Sequence, residues 1–324
     1  MKKGQKKSKP TKHLYNAAFQ TMMTESDLLA ISLINEMFGT SIPANTELLS
    51  LQNEMHLMGR EKRITDSIRQ AADNKTRFHI ECESTPGDTG ILIRVFEYSS
   101  KKALEWSRIE GNTLHIRYPM SGVLFLRDTK NTPSSMQMMI EEPGSGETLT
   151  LPVAVLKVSD YTLDDIFDRN LWFLLPFYTF NYWKKLKSTV SERIVQTEDD
   201  ILTDLERIHH RLQELNDSGK MDSHNRYMLQ EFTVQIAKAV AKNSERIQKG
   251  ADEIMGKEYL DYPGRDSWIA GRKIGLEKGL EKGLEEGREK EREDILKELI
   301  DDGTITAEKA DSIRKRRKVK VAVL

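Results

Sequence analysis

The sequence contains a single cysteine, Cys82, among 324 residues. An internal disulfide and a zinc site built from several cysteines of one chain are therefore both excluded. The seven histidines are not spaced like metal ligands, and we expect them to be ordinary structural or surface residues. A reducing compartment fits this cysteine content, so the sequence predicts a cytoplasmic protein.

Long apolar runs are also missing, and the net charge is small. No hydrophobic stretch approaches the length of a membrane span, and no signal-peptide core follows the basic N-terminus, so we expect no membrane partner. The formal net charge is −1, which neither favours nor excludes a nucleic-acid partner. Cations are concentrated near the two ends instead, with six lysines in residues 1–12 and six cations from Arg314 to Lys320. Such runs are typical of solvated tails, which can also bind phosphate backbones non-specifically.

The most informative stretch runs from Glu61 to Ser84 and predicts two strands joined by the polar turn Ala71–Lys75. Alternate residues of the second strand form its two faces: Phe78, Ile80 and Cys82 on one, and His79, Glu81 and Glu83 on the other. If the hairpin folds about Asp73-Asn74, residues whose numbers sum to 147 lie opposite each other. This register pairs Asp66 with Glu81.

Three carboxylates would then lie close together. Like charges in direct opposition destabilise a hairpin unless a cation lies between them. Oxygen ligands favour Mg²⁺, Mn²⁺ or Ca²⁺ over zinc, so a divalent-cation site is one interpretation. The alternative is a solvated outer face with unpaired acids, and a register slip of one residue would separate the acids.

The segments around this hairpin alternate between helical and extended patterns. Residues 15–39 predict two helices that meet near Ser26 and end at Gly39, and Asp88 is placed to cap a helix that reaches Arg108. Strands are predicted at 122–127, 136–140 and 151–158, followed by a core helix through the aromatic stretch 171–178. Helices before, beside and after a mixed sheet predict an α/β domain.

Two further positions are candidates for contact with the acidic strand. Arg94 and Tyr98 are four residues apart on one face of the helix after the hairpin, where they suit either phosphate contact or support of the acids. Glu36 lies at the end of an earlier helix. It is either a surface acid or a further contact of the carboxylate cluster.

Beyond Lys184 the pattern becomes helical throughout. Residues 201–215 carry a coiled-coil-like seam that Gly219 ends, and residues 229–240 predict the partner helix of a hairpin. Five glycines then recur at every fourth position from Gly271 to Gly287, within Gly-Leu-Glu-Lys repeats. Such small residues allow helices to approach closely, so we expect this extension to form a homo-oligomer.

The order of these motifs resembles a known family. The matching segments are Asn16-Ala-Ala-Phe19-Gln20, Leu33-Ile-Asn35, a strand with Asp66, Ile80-Glu81-Cys82-Glu83-Ser84, a helix with Arg94 and Tyr98, and a strand after Pro119. Over about residues 14–183 the chain resembles the recombination-promoting nuclease and putative transposase family of the PD-(D/E)XK superfamily. The Gly-Leu-Glu-Lys tail is also similar to the C-termini of many members.

The resemblance implies a restriction-endonuclease-like core that hydrolyses phosphodiester bonds in DNA with Mg²⁺ or Mn²⁺. It makes Asp66 the bridging metal ligand, Glu81 the second ligand and the Cys82 carbonyl a third. Position 83 would orient the attacking water, and Arg94 and Tyr98 would support the site or contact DNA. The chain departs from the family pattern at Asn16 and Gln20, where an acid and a base are lost, and at Glu83, where lysine or glutamine is expected.

The sequence therefore predicts four regions and two competing functions. The regions are a basic disordered arm (1–13), a nuclease-like domain (14–187), a helical hairpin (188–262) and the glycine-repeat helix with basic C-terminal helices (263–324). The leading hypothesis is a cytoplasmic, metal-dependent DNA endonuclease. The alternative is a catalytically degenerate nuclease fold that binds DNA or protein, and a helical scaffold with an incidental α/β head would leave the acidic hairpin unexplained.

Overall fold

A computed structural model describes residues 10–50, 54–55, 63–64, 67–70, 76–85 and 90–256, together with the single residues 296, 300, 304, 306 and 309. The chain divides into two compact units, Met1–Tyr259 and Leu260–Leu324. The elements and contacts below all belong to the first unit. The glycine repeat and the predicted turn at residues 71–75 lie outside the described residues.

Helices flank a set of short and medium-length strands along this unit. The helices are α1 Pro10–Glu25, α2 Asp27–Phe38, α3 Ile91–Glu105, α4 Leu163–Asp168, α5 Ser191–Asp217, α6 Ser223–Val240 and α7 Glu245–Ala251. The strands are β1 Leu49–Ser50, β2 Glu54–Met55, β3 Arg63–Ile64, β4 Ser67–Gln70, β5 Arg77–Glu83, β6 Arg108–Glu110, β7 Thr113–His115, β8 Met120–Phe125, β9 Met136–Glu141 and β10 Thr148–Lys157. The predicted α/β class is confirmed.

Six strands form one mixed sheet in the order β1-β4-β5-β8-β10-β9. Strands β5, β8 and β10 are parallel neighbours, while β1, β4 and β9 pair antiparallel at the two sides. The carboxyl ends of the three parallel strands therefore meet at one edge of the sheet. That edge is where α/β proteins commonly bind ligands.

The pairing of β4 with β5 has the predicted register. Ser67 lies opposite Ile80, and Ile68 lies opposite His79, so the paired residue numbers sum to 147. Alternation in β5 is also confirmed, because Phe78 and Ile80 belong to the main apolar cluster whereas His79 contacts α3. Asp66, which the sequence places next in this register, lies outside the described residues.

The main apolar core covers one face of the sheet. It joins Phe78, Ile80 and Leu124 of the sheet to α1, α2 and the 3₁₀ segment Trp172–Tyr182. Helix α3 covers the other face, where its residues Ile91 and Val95 belong to a second cluster with β8 and β10. Both faces of the central strands are thus buried, which accounts for the nearly continuous apolar sequence of β8.

Helices α5 and α6 belong to the same main core. The seam residues Ile201, Leu205 and Ile208 are buried in it, and so are Leu229 and Phe232 of α6. The two helices predicted here are present as α5 and α6, with Gly219 in a left-handed conformation (φ 72°) in the turn between them. The boundary predicted at residue 187 thus falls between segments that share one core. Every helix among the described residues is too short or too polar to span a bilayer.

Two helix predictions need correction. The helix predicted from Asp88 to Arg108 begins at Ile91 with Gly90 at its N-cap position, and it ends at Glu105 because Arg108 begins the β6–β7 hairpin. The aromatic stretch is not one α-helix. Asn170 after α4 has a left-handed backbone (φ 56°), which ends the helix, and the residues that follow form a 3₁₀ segment containing Pro176, which has no N–H to donate.

Gly122 allows α2 to lie close to β8. A Cβ at this position would overlap the Met37 sulfur and lie 3.1 Å from Phe38 Cζ. Met37 is flexible and can move away from one methyl group, so we expect Gly122→Ala to be tolerated. Gly122→Val should lower the free energy of unfolding by about 1–3 kcal/mol through overpacking, although valine normally favours strands. Urea denaturation would measure both variants, and a valine variant as stable as the wild type would contradict this close packing.

Candidate functional site

The candidate site lies between β5 and α3. Glu81 and Glu83 point to this side of the sheet, and their exposed fractions are only 2% and 0%. The alternative interpretation of the acidic face, a solvated surface with unpaired acids, is therefore wrong. A carboxylate is rarely buried without a partner. The chemistry available to the site therefore depends on the cations around these two residues.

Arg94 of α3 forms ion pairs with both glutamates. Its Nε lies 3.4 Å from Glu81 Oε2, and its Nη2 lies 3.1 Å from Glu83 Oε2. The backbone N–H of Thr85 donates to the other Glu83 oxygen at 2.6 Å. The Arg94 side chain is 26% exposed, so it lies between the buried acids and solvent.

A buried polar chain extends from Glu81 into the protein. His79, with no exposed surface, has its Nε2 3.1 Å from Glu81 Oε1 and its Nδ1 2.7 Å from the Ser99 hydroxyl. Ser99 in turn lies 3.0 Å from the hydroxyl of Ser121 on β8. An ionised carboxylate only accepts hydrogen bonds, so opposite an ionised Glu81 the fitting tautomer of His79 is the one in which Nε2 donates. This contact fixes the orientation of the Glu81 carboxylate.

Tyr98 lies one helical turn beyond Arg94, as predicted from their spacing. It is buried against Ile68, and its ring meets the His79 ring edge-to-face at 6.2 Å. Burial favours the supporting role for Tyr98 over direct contact with DNA. The same packing holds the imidazole of His79 beside Glu81.

Glu36 belongs to a different cluster. Arg169 donates to its two oxygens at 2.6 and 2.7 Å, and the Tyr161 hydroxyl donates at 2.7 Å. Burial and the neighbouring Glu36 carboxylate raise the pKa of the Tyr161 phenol well above its usual value. Glu36 is thus neither a simple surface acid nor, in this arrangement, a partner of Glu81 or Glu83.

The remaining predicted ligands are less fully described. Asp66 is outside the described residues, and the buried thiol of Cys82 faces the apolar core, so only its backbone could serve the site. Across the described ranges, no three His, Cys, Asp or Glu side chains group in a way that would hold a metal ion.

Comparison with family models, characterised proteins and solved structures found no match to this chain. The chemistry of the site therefore has to be argued from its own residues. Two carboxylates offer four oxygen atoms, which is the ligand type that Mg²⁺ and Mn²⁺ prefer. Arg94 already supplies one positive charge between them.

Three residues of the site were not singled out from the sequence. His79 was expected to be an ordinary histidine, whereas it contacts Glu81 directly. The sequence did contain a signal for this contact, because His79 lies on the same face of β5 as the two glutamates. Ser99 and Ser121 carried no such signal, because their contact depends on how α3 lies across β8.

Proposed function

We propose that this chain is a metal-dependent DNA endonuclease of the recombination-promoting, transposase-like type, with a restriction-endonuclease-like core. The observation that carries the proposal is the pair of buried glutamates at the carboxyl end of the central strand β5, held together by Arg94. Buried acids at the end of a strand are costly to maintain even when a cation such as Arg94 pairs with both, which makes a functional role the better explanation.

In this proposal Asp66, Glu81 and the Cys82 carbonyl hold Mg²⁺ or Mn²⁺. The residues fit such an ion in ligand chemistry, because Glu81 presents oxygen atoms in an orientation fixed by His79. The register found at Ser67 and Ile68 is the one from which the pairing of Asp66 with Glu81 was predicted. A bound divalent cation supplies charge neutralisation at the phosphate and lowers the pKa of bound water.

The other residues of the site would prepare the phosphate and the water. Glu83, held by the Thr85 N–H, would accept a hydrogen bond from the attacking water and so orient it. Arg94 is partly exposed and would donate to a phosphate oxygen, since guanidinium and phosphate geometries match. Tyr98 would keep His79 and α3 in position.

A second candidate function is a degenerate nuclease fold that binds DNA or protein without cleaving. The specific observation that favours it is the Arg94 ion pair to both glutamates, which neutralises part of their charge without any metal. Glu83 in place of the family's lysine or glutamine supports the same alternative.

Nicking of supercoiled plasmid would test the proposed activity. We expect the purified chain to nick the plasmid in Mg²⁺ or Mn²⁺ but not in EDTA, and Asp66→Ala to remove the activity. A useful control is Asp217→Ala, since Asp217 is the last residue of α5 and lies outside the site. Absence of nicking, together with DNA binding that is equal in EDTA, would overturn the nuclease and leave the binding module.

The proposal also includes a cytoplasmic location and a homo-oligomer formed through the C-terminal helices. Both are predictions from the sequence. The glycine repeat that would form the contact lies outside the described residues.

A further inference from the structure

A cleft of about 370 Å³ lies between the segment after the 3₁₀ helix and the turn after α6. Three cations, Arg127, Lys187 and Lys242, line it beside the ring of Trp183. One acid, Glu198, also lines the cleft, but it pairs with Arg246 at 3.6 Å. The cleft therefore has an excess of positive charge.

The three cations have no carboxylate partner among the described residues. The Arg127 guanidinium instead lies over aromatic rings, at 4.9 Å from the centroid of Phe180 and 5.8 Å from that of Trp183. Its Nε is buried without a hydrogen-bond partner. The Lys187 ammonium lies 4.5 Å from the Trp183 centroid. Cations that are gathered on an aromatic surface, with no acid paired to them in the described part of the chain, are suited to an anion that brings several charges.

The location relates this cleft to the glutamates. Glu83 pairs with Phe125 at the end of β8, and the Glu83 carbonyl accepts a hydrogen bond from the Leu126 N–H at 2.9 Å. Arg127 is the next residue. The cleft and the two glutamates thus lie at the same carboxyl edge of the sheet, although they are on opposite faces of the sheet.

We propose that this cleft binds the sugar-phosphate backbone of single-stranded DNA next to the carboxylate site. The inference rests on the proposed nuclease function. The cleft would hold part of the DNA substrate of that nuclease. A single strand fits because the cleft combines three cations, which can contact the phosphates, with the ring of Trp183, on which an unpaired base can stack. The strand would cross the carboxyl edge of the sheet to reach Glu81 and Glu83.

Fluorescence anisotropy of a labelled oligothymidylate with the full chain, in EDTA, tests the cleft separately from cleavage. Lys187→Gln and Lys242→Gln should each weaken binding several-fold and reduce the slope of log K against log salt by about 0.7, the value for one lost phosphate contact on a single strand. Both lysines are exposed, so the fold should be unaffected. Lys220→Gln is the matched control, because Lys220 is exposed and lies outside the cleft.

The cleft proposal is overturned if the two variants bind oligothymidylate like the Lys220→Gln control, or if they lose only duplex binding. It is also overturned if the wild-type chain does not bind the oligothymidylate. Loss of plasmid nicking with normal cleft-dependent binding would instead remove the nuclease and keep the binding cleft. The two proposals therefore fail in different measurements.

Discussion

Replacing Arg94 with methionine is expected to lower the free energy of unfolding by about 2–4 kcal/mol. The substitution keeps the length of the aliphatic chain but leaves the Glu81 and Glu83 carboxylates without their shared cation. Removing one partner of a buried ion pair typically costs about 3–5 kcal/mol. We expect a smaller loss because the Arg94 side chain is 26% exposed and its interactions are partly screened by solvent.

Arg117→Met provides the matched control. Arg117 is exposed in the segment between β7 and β8, and no ion pair of it is found among the described residues. The same substitution there should change stability by less than about 0.5 kcal/mol. Equal melting curves for the two variants would show that Arg94 does not stabilise the buried acids.

The Arg94→Met variant also distinguishes the two proposed functions. If Glu81 binds a divalent cation, millimolar Mg²⁺ or Mn²⁺ should restore much of the lost stability, because a ligand that binds only the folded state stabilises it. The wild-type chain should gain less, since Arg94 and the ion compete for the Glu81 carboxylate. If neither metal changes the melting temperature of the Arg94→Met variant, the degenerate fold that binds without cleaving is favoured.

The β4–β5 register is an example of what the sequence predicts well. Polar turn formers fixed the centre of the hairpin, and the period of two fixed the faces of β5, so the pairing of Ile68 with His79 followed from local pattern alone. The shared face of Arg94 and Tyr98 was predictable for the same reason, because helical spacing is also a local property.

The burial of the glutamates was not predictable in this way. Periodicity separates the two faces of a strand but does not identify which later element covers each face. That element is α3, which brings Arg94 to Glu83 across 11 positions of sequence and Ser99 to His79 across 20. The 3₁₀ segment Trp172–Tyr182 escaped prediction because a continuous apolar run carries no period that separates helix types.

Glu83 is the position at which the chain departs most clearly from the pattern of the family proposed for it, and the contacts of this residue show which substitutions are informative there. A lysine at this wholly buried position would place a second cation beside Arg94. A glutamine can accept the Thr85 N–H with its carbonyl oxygen while losing one charge-assisted contact to Arg94, at a cost of about 1–3 kcal/mol. Glutamine is therefore the replacement that tests chemistry with the least damage to the fold.

Glu81→Gln and Glu83→Gln are expected to differ strongly in plasmid nicking. An amide at position 81 is a weaker ligand for a divalent cation, so the rate should fall by about 100-fold or more, as when one preorganised electrostatic contact is removed from a reacting centre. An amide at position 83 still accepts a hydrogen bond from water, so the rate should stay close to the wild-type value if Glu83 only orients the water.

A loss of about 100-fold or more in the Glu83→Gln variant would contradict that orienting role and show that the carboxylate itself takes the proton, since general bases contribute about 10²–10⁴-fold. Full activity of Glu81→Gln would remove Glu81 as a metal ligand. Melting temperatures of the two variants serve as the control. Each variant removes one carboxylate from a buried pair that shares Arg94, so both should remain folded, and a difference in nicking then reports on chemistry.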